Sequence, residues 1–140
     1  ERIETPVDVA LDDNGVRKDV PVSALPSELP ISDIGKETAA RFSDIVSRAC
    51  TVFISGPAGV IEREEFSLGT KALMEATVSS GAFSVIGGGH TVSAAQRYHC
   101  CERFSYVSTG GGALENYVMG KKLPVVEALK AAYARETSKG

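Results

Sequence analysis

Glycine is concentrated in three clusters, and each cluster directly follows a short apolar run. Eight of the 14 glycines lie in these clusters, which come after residues 51–54, 82–86 and 104–107. Short apolar runs that end in glycine predict buried strands, and a helical pattern follows each cluster. Strands that alternate with helices need crossover connections and form a parallel sheet. The predicted fold class is therefore α/β, with an open parallel sheet and helices on both of its faces.

The first 31 residues have a different pattern, which predicts a β-hairpin followed by a loop. Asn14 and Gly15 stand between two loosely alternating apolar runs, and this pair is a strong hairpin signal. From Ser32 the spacing becomes helical, and Ser32 or Asp33 is available to cap that helix. Further helices are predicted over 63–78, 91–98, 113–118 and 125–133. The predicted organisation is a hairpin and loop in 1–31, glycine-loop βα units in 32–124, and a C-terminal helix and tail in 125–140.

Length and charge limit the classes of function. The chain has 140 residues and a net charge of −3, which leaves room for one domain and excludes an extended basic platform for nucleic acid. No apolar run is long enough to span a membrane. The three cysteines, Cys50, Cys100 and Cys101, lack the spacing of a disulfide framework and favour a reducing, cytoplasmic location. Because the sequence opens with Glu1, we interpret it as a processed product or a piece of something longer.

The three glycine loops predict a ligand that carries phosphate. The carboxyl ends of parallel strands lie at one edge of a sheet, where open α/β sheets bind their ligands. A helix that starts there offers unpaired N–H groups, and glycine lets the backbone approach a phosphate closely. Neither common phosphate motif fits, because Val92 stands where the dinucleotide fingerprint needs a glycine and no Gly-x-x-x-x-Gly-Lys is present. An oxidoreductase is also disfavoured, since no acidic residue follows at the required distance.

Ordered motifs around these loops resemble the nucleotide-binding half of phosphoglycerate kinase. They read SGPAGVIE at 55–62, FSLGT at 66–70, IGGGHT at 86–91, VSTGGGA at 107–113 and GKKLP at 120–124. The likeness is strongest over 33–124 and weakest in the hairpin and the final helix. It implies the C-terminal part of a Rossmann-like nucleotide-binding domain, and an archaeal-type enzyme is one candidate.

The resemblance implies a reversible phosphoryl transfer in glycolysis, from 1,3-bisphosphoglycerate to ADP, giving 3-phosphoglycerate and ATP with Mg²⁺. This chain would supply the ADP/ATP site and the phosphate loops, and would be inactive alone. Its expected partners are the nucleotide, phosphoglycerate, and the remainder of the kinase or another copy covering the open sheet edge. Neither nucleic acid nor a membrane is expected. A stand-alone nucleotide- or phosphate-binding module without turnover stays open as the alternative.

The resemblance also implies a role for each motif residue. The adenosine pocket would be lined by Pro57, Gly59 and Val60, with Glu62 accepting hydrogen bonds from the ribose hydroxyls. The nucleotide phosphates would meet Gly88, Gly89, His90 and Thr91. The transferring phosphoryl group would be held by Thr109, Gly110, Gly111 and Gly112, together with Gly89. A loose, metaphosphate-like transition state needs positioning and charge stabilisation, which preorganised N–H groups supply.

His90 departs from the family pattern, because many members have an aspartate there that approaches the nucleotide-bound magnesium. A neutral imidazole suits that hard cation poorly, so no metal ligand is predicted in this chain. Mg²⁺ would be held by nucleotide phosphates and water, or by a group outside the chain. Direct contact of His90 with a phosphate and a plain helix-capping role both stay open. Ser55 replaces the usual asparagine and is given no ligand contact.

Overall fold

Two three-stranded sheets form the frame of the protein in a computed structural model, which describes residues 3–137. Five α-helices and three short 3-10 turns complete this described range. In chain order the elements are β1 (Asp8–Asp13), β2 (Val16–Pro21), β3 (Ile31–Ile34), α1 (Lys36–Ser47), β4 (Thr51–Ser55), α2 (Leu68–Ser79), β5 (Phe83–Gly87), α3 (Gly89–Arg97), β6 (Tyr106–Ser108), α4 (Gly112–Val118) and α5 (Pro124–Thr137). The last three residues of the predicted tail lie outside the described range.

The second sheet contains the three strands that precede the glycine clusters. Its order is β4-β5-β6 and both pairings are parallel. The strands are consecutive in the chain, so each connection crosses over through the intervening helix. The predicted α/β class is confirmed. Within the described residues β4 pairs on one side only, which agrees with the open sheet edge expected from the sequence.

One face of this sheet carries the hydrophobic core. Ile86 of the central strand is fully buried, and Met74 of α2 and Ala94 and Ala95 of α3 belong to the same cluster. The other face is covered less completely. Leu114 of α4 lies over Gly87 there, whereas the side chains of Phe53, Phe83 and Tyr106 remain 41%, 58% and 57% exposed. Helices therefore lie on both faces, but the second face keeps an aromatic surface exposed in the described residues.

The first sheet contains the predicted hairpin. Strands β1 and β2 pair antiparallel across Asn14 and Gly15, which both have positive φ angles, 51° and 94°. Two consecutive left-handed residues match the twist of a two-residue hairpin loop and explain the choice of Asn-Gly. The backbone N–H of Gly15 donates to Oδ1 of Asp12 at 2.7 Å, which closes the turn. The hairpin prediction is confirmed.

Strand β3 and the start of α1 differ from the prediction. Residues Ile31–Ile34 form a strand that pairs antiparallel with β1, where the sequence predicted loop and helix. Helix α1 begins at Lys36 with Gly35 as its N-cap, so the prediction that Ser32 or Asp33 caps it is wrong. The anion at this helix start is Asp8, whose carboxylate accepts the N–H groups of Glu37 (3.1 Å) and Thr38 (2.7 Å). A four-residue strand that pairs with a distant segment gives little local signal.

The remaining helices lie close to their predicted positions. The predicted helix over 63–78 begins instead with a short 3-10 turn, Glu64–Phe66, followed by α2 from Leu68. Helix α5 is longer than the predicted 125–133, and its apolar residues are largely exposed in the described chain. Over residues 3–137, no helix has the length and apolar character that crossing a membrane requires.

Candidate functional site

The three predicted glycine loops meet at one edge of the parallel sheet. Ser55 at the end of β4 lies opposite Gly87 of β5, which in turn lies opposite Ser108 of β6. The loops therefore leave the sheet at the same level and on the same side. This is the edge at which open α/β sheets bind ligands.

Helix α3 begins at this edge without any capping side chain. Its N-cap is Gly88, with a φ of 89°, and no side chain among residues 3–137 accepts a hydrogen bond from its first turn. The first N–H groups of a helix have no acceptor inside the helix. Gly89 and His90 are exposed at this start. The arrangement offers an anion several N–H donors and the positive end of the helix dipole.

The loop before α4 has a similar form. Gly111, the N-cap, has a φ of 45° and no capping side chain. Thr109, Gly110 and Gly112 are exposed, but Gly110 already donates its N–H to the hydroxyl oxygen of Ser108 at 3.1 Å. One of the predicted phosphoryl-binding N–H groups is thus engaged within the protein, while the side chain of Thr109 lies open to solvent.

At two positions in the starts of α3 and α4, neither the backbone conformation nor packing explains why the residue is glycine. Gly89 and Gly112 have ordinary φ angles, and a Cβ built on either would meet no atom within 4 Å. Neither backbone strain nor packing therefore requires glycine there. By contrast, a Cβ on Gly59 would overlap Oδ1 of Asp33 and the carbonyl oxygen of Phe66, so packing alone explains that glycine. The open positions leave room for a ligand to approach the backbone closely.

The first loop, residues 56–60, uses its N–H groups within the protein. Gly56 donates to Oγ1 of Thr91 at 2.7 Å, while Ala58 and Gly59 donate to Oγ1 of Thr70 at 3.0 and 3.3 Å. Both threonines are buried. These three N–H groups are therefore not available to a phosphate, and the resemblance assigns this loop to adenosine. The Thr91 side chain instead ties the first loop to the start of α3.

The helix that follows the first loop is also capped internally. Oδ2 of Asp33 accepts the N–H of Gly69 in the first turn of α2 at 2.9 Å and pairs with Nη1 of Arg17 at 2.9 Å. Burial alone would lower the pKa of Arg17, but hydrogen bonds to Asp19 and Asp33 raise it above its ordinary value. With its dipole already met by a carboxylate, α2 offers no site to an incoming anion.

A cavity of about 360 Å³ lies between the first loop and β3. Three residues of the predicted adenosine pocket, Pro57, Gly59 and Val60, line it. Ile31 and Ser32 line its other side and were not predicted, because β3 was not recognised as a strand. Its walls are mostly apolar and backbone, which suits a flat aromatic base.

Glu62 lies just beyond the first loop. It is exposed and makes no hydrogen bond or ion pair to the residues that the structure describes. The structure thus brings the predicted first-loop and phosphate-loop residues to one sheet edge and leaves the Glu62 carboxylate free to accept hydrogen bonds. It also adds Thr70, which belongs to the resembling FSLGT motif but had no predicted role.

Metal ligands are sparse around these loops. Residues 3–137 contain no group of three or more His, Cys, Asp or Glu side chains placed to hold an ion. Cys100 is buried in the core, and this burial raises the pKa of its thiol. Near the loops, the carboxylate of Glu115 accepts a hydrogen bond from the hydroxyl of Ser55. The described residues therefore offer no preformed cluster of three protein ligands to a metal ion.

Comparisons with known proteins agree with the resemblance seen in the sequence. A family model described as phosphoglycerate kinase matches residues 1–121. The phosphoglycerate kinase of Methanothermus fervidus is 44% identical over 135 residues, which cover 96% of this chain and 33% of that protein. That of Methanosarcina mazei is 48% identical over 134 residues, covering 95% of this chain and 32% of that protein.

Solved structures give the same result. The crystal structure of phosphoglycerate kinase from Pyrococcus horikoshii OT3 matches this chain with a TM-score of 0.80 and 40% sequence identity. The match covers 93% of this chain and 33% of the Pyrococcus chain. The Coxiella burnetii structure has a TM-score of 0.80 and 37% identity, over 89% of this chain and 33% of that one. The chain spans about a third of the length of the curated relatives it matches.

Proposed function

Because the chain belongs to the phosphoglycerate kinase family, we propose that it forms part of such a kinase and supplies its ADP/ATP site. The reaction is reversible phosphoryl transfer from 1,3-bisphosphoglycerate to ADP, giving 3-phosphoglycerate and ATP in glycolysis. The family match over most of the chain supports this activity. The observation that carries the assignment of the site is the pair of open glycines, Gly89 and Gly112, at uncapped helix starts on the ligand-binding edge.

The adenosine part of the nucleotide occupies the cavity beside the first loop. Pro57, Gly59 and Val60 form one wall, and β3 forms the other. Glu62 accepts hydrogen bonds from the vicinal ribose hydroxyls, a role for which an exposed carboxylate without an internal partner is suited. The pocket so formed fixes the base by apolar contact and orients the sugar by charge-assisted hydrogen bonds.

The phosphates of the nucleotide lie at the start of α3. Gly88, Gly89, His90 and Thr91 meet them through the backbone, because the Thr91 hydroxyl is buried and already bonded to Gly56. That hydroxyl instead fixes the spacing between the adenosine and phosphate sites. The orientation of the dipole of α3 stabilises negative charge at this point.

The transferring phosphoryl group is held between the start of α3 and the loop that contains Thr109, Gly110, Gly111 and Gly112. Charge in the transition state spreads over the equatorial oxygens of the phosphoryl group. Preorganised N–H donors in place before the reaction stabilise that charge without reorganisation. Gly89 and Gly112 lack a Cβ, so the donors can approach the phosphoryl oxygens from both sides.

Magnesium accompanies the nucleotide in this proposal and is not held by the described residues. His90 stands at the glycine loop where a carboxylate would be needed, and no three-ligand cluster lies within residues 3–137. Oxygen atoms of the nucleotide phosphates and water are the ligands that this hard cation prefers.

The remainder of the kinase is the proposed partner for the open edge of β4. An apolar cavity of about 360 Å³ lies beside that edge, lined by residues that include Phe42, Val46 and Leu73. The aromatic face of the sheet is exposed nearby. We also propose the organisation 1–31, 32–124 and 125–140 within one nucleotide-binding domain, and a cytoplasmic location, in keeping with a glycolytic family and three free cysteines.

The test compares two samples: the complete gene product that carries these residues, and the 140-residue chain alone. Each is assayed for ATP formation from ADP and 1,3-bisphosphoglycerate, and for ADP binding by calorimetry. We expect turnover only from the complete product. Turnover by the isolated chain at the same rate would contradict the proposal of a partial site. ADP binding without turnover by the complete product would favour the stand-alone binding module.

A further inference from the structure

Two buried threonines occupy the same place in two helices. Thr38 and Thr70 each lie in the first turn of a 12-residue helix, α1 and α2, and each hydroxyl accepts two backbone N–H groups from a preceding segment. The carboxylates that meet these helix starts are also equivalent, Asp8 for α1 and Asp33 for α2. The two arrangements differ in what they hold: Thr38 binds the beginning of β1, whereas Thr70 binds the first loop.

At the start of α2, a series of hydrogen bonds and adjacent residues connects the hairpin to the first loop. Arg17 donates hydrogen bonds to Oδ2 of Asp33 at 2.9 Å and to the carbonyl oxygen of Ile34 at 2.8 Å. The same Oδ2 of Asp33 accepts a hydrogen bond from the N–H of Gly69 at 2.9 Å. The Asp33 side chain is fully buried. Thr70 is the next residue after Gly69, so fixing the start of the helix also fixes the position of the Thr70 hydroxyl.

This series of hydrogen bonds ends at the wall of the cavity between the first loop and β3, which is the proposed nucleoside site. Thr70 accepts the N–H groups of Ala58 and Gly59, and both of these residues line the cavity. Asp33 touches the same wall directly, since a Cβ on Gly59 would overlap its Oδ1. A loop backed by a buried hydroxyl and a buried carboxylate is held in one position before any ligand arrives.

We propose that Thr70 and Asp33 are positioning residues for the nucleoside pocket, acting on the first loop from its buried side. This inference rests on the proposed function, because it assumes that the cavity beside the loop receives the nucleoside of ADP or ATP. It assigns part of the affinity for the base and ribose to a hydroxyl that lies behind the cavity wall, Thr70, and to a carboxylate, Asp33, that lines the cavity and also supports the loop. Loss of either group loosens the pocket wall and weakens nucleotide binding without altering the phosphoglycerate site.

The test uses Thr70→Val and Thr70→Ser in the complete gene product, with Thr38→Val as the matched control. We expect Thr70→Val to raise the Kd and KM for ADP about tenfold, since two hydrogen bonds to the loop are lost. The KM for phosphoglycerate should stay within about twofold. Thr70→Ser keeps the hydroxyl and should bind ADP as the unmodified protein does. Thr38→Val should lower the thermal midpoint but leave ADP binding unchanged.

Asp33→Asn provides a second route if Thr70→Val does not accumulate as folded protein. The amide oxygen can still accept from Gly69, and Arg17 keeps Asp19 as a partner at 2.9 Å, so the fold should persist. Because the amide lacks the charge that pairs with Arg17, the first loop should be held less firmly and ADP should bind more weakly. Equal effects of Thr70→Val and Thr38→Val on ADP affinity, or no effect of Thr70→Val and Asp33→Asn, would overturn the inference. If the unmodified protein bound no ADP, the proposed function itself would fail instead.

Discussion

Helices α1 to α4 begin in two different ways. The first turns of α1 and α2 donate N–H groups to the carboxylates of Asp8 and Asp33, whereas no side chain among residues 3–137 accepts from the first turns of α3 and α4. The first kind fixes α1 and α2 to the first sheet, because Asp8 lies in β1 and Asp33 in β3. The second kind lies at the carboxyl edge of the parallel sheet, where we propose that the nucleotide binds. A helix start without an internal anion keeps its N–H groups available to an external one, which is the role that we propose for α3 and α4.

The largest expected effect comes from converting α3 into a helix of the first kind. Gly89→Asp places a carboxylate at the exposed start of the helix, where it meets the dipole and repels the nucleotide phosphates. We expect the Kd for ADP to rise about a hundredfold, with no loss in thermal stability. Calorimetric titration with ADP measures this. Gly89→Asn is the control, because asparagine has nearly the same size as aspartate but no charge. An equally large rise in the Kd for ADP in Gly89→Asn would show that the volume of the side chain, and not its charge, weakens binding.

Removal of a carboxylate from a helix of the first kind should act on stability instead. Asp8→Ala leaves the N–H groups of Glu37 and Thr38 without their acceptor. We expect the free energy of unfolding to fall by about 2 kcal/mol, with ADP affinity unchanged in the folded protein. Urea unfolding and ADP titration measure the two quantities. A loss of ADP affinity comparable to that of Gly89→Asp would break the distinction between the two kinds of helix start.

The loop before α4 should respond in turnover rather than in binding. Gly112→Ala adds a Cβ where the transferring phosphoryl group is expected, in a position without neighbouring atoms and with an ordinary φ. We expect kcat to fall about tenfold while the Kd for ADP stays constant. Steady-state kinetics separate the two. Ser93→Ala, on the exposed side of α3, is the control and should change neither.

The smallest effect is the pH dependence of stability. Burial would raise the pKa of Asp8, but hydrogen bonds from Thr38 and Glu37 hold it below its ordinary value of 3.8. A carboxyl whose pKa is lowered by folding stabilises the folded state above its unfolded pKa, and this contribution is lost as the pH falls towards the folded value. We expect thermal midpoints to decrease below about pH 4, and to decrease less steeply in Asp8→Asn. If the thermal midpoint fell equally steeply with pH in the unmodified protein and in Asp8→Asn, Asp8 would not contribute to the pH dependence of stability.

The sequence was sufficient for features that are encoded locally. Asn14 and Gly15 specify the hairpin turn, and the apolar runs before each glycine cluster specify the parallel strands, whose carboxyl ends share one edge. The roles of the loop residues remain predictions. Their common location follows from the topology alone, because parallel strands end at the same side of a sheet.

Features that depend on contacts between distant segments were not predictable. Strand β3 exists because it pairs with β1, and Asp33 caps a helix 36 residues further along the chain. Thr70 and Thr91, from two later helices, accept N–H groups of the first loop, and the sequence predicted neither contact. Nothing in the local pattern of a threonine shows which backbone groups it will meet after folding.

The most direct test of the two kinds of helix start is an ADP titration followed by the backbone amide resonances of the complete gene product. We predict large shifts for the amides of Gly89 and His90, which begin α3 without a cap. The amides of Thr38 and Gly69, already bound by Asp8 and Asp33, should hardly move. Shifts confined to Thr38 and Gly69, or none at Gly89 and His90 under saturating ADP, would contradict the account.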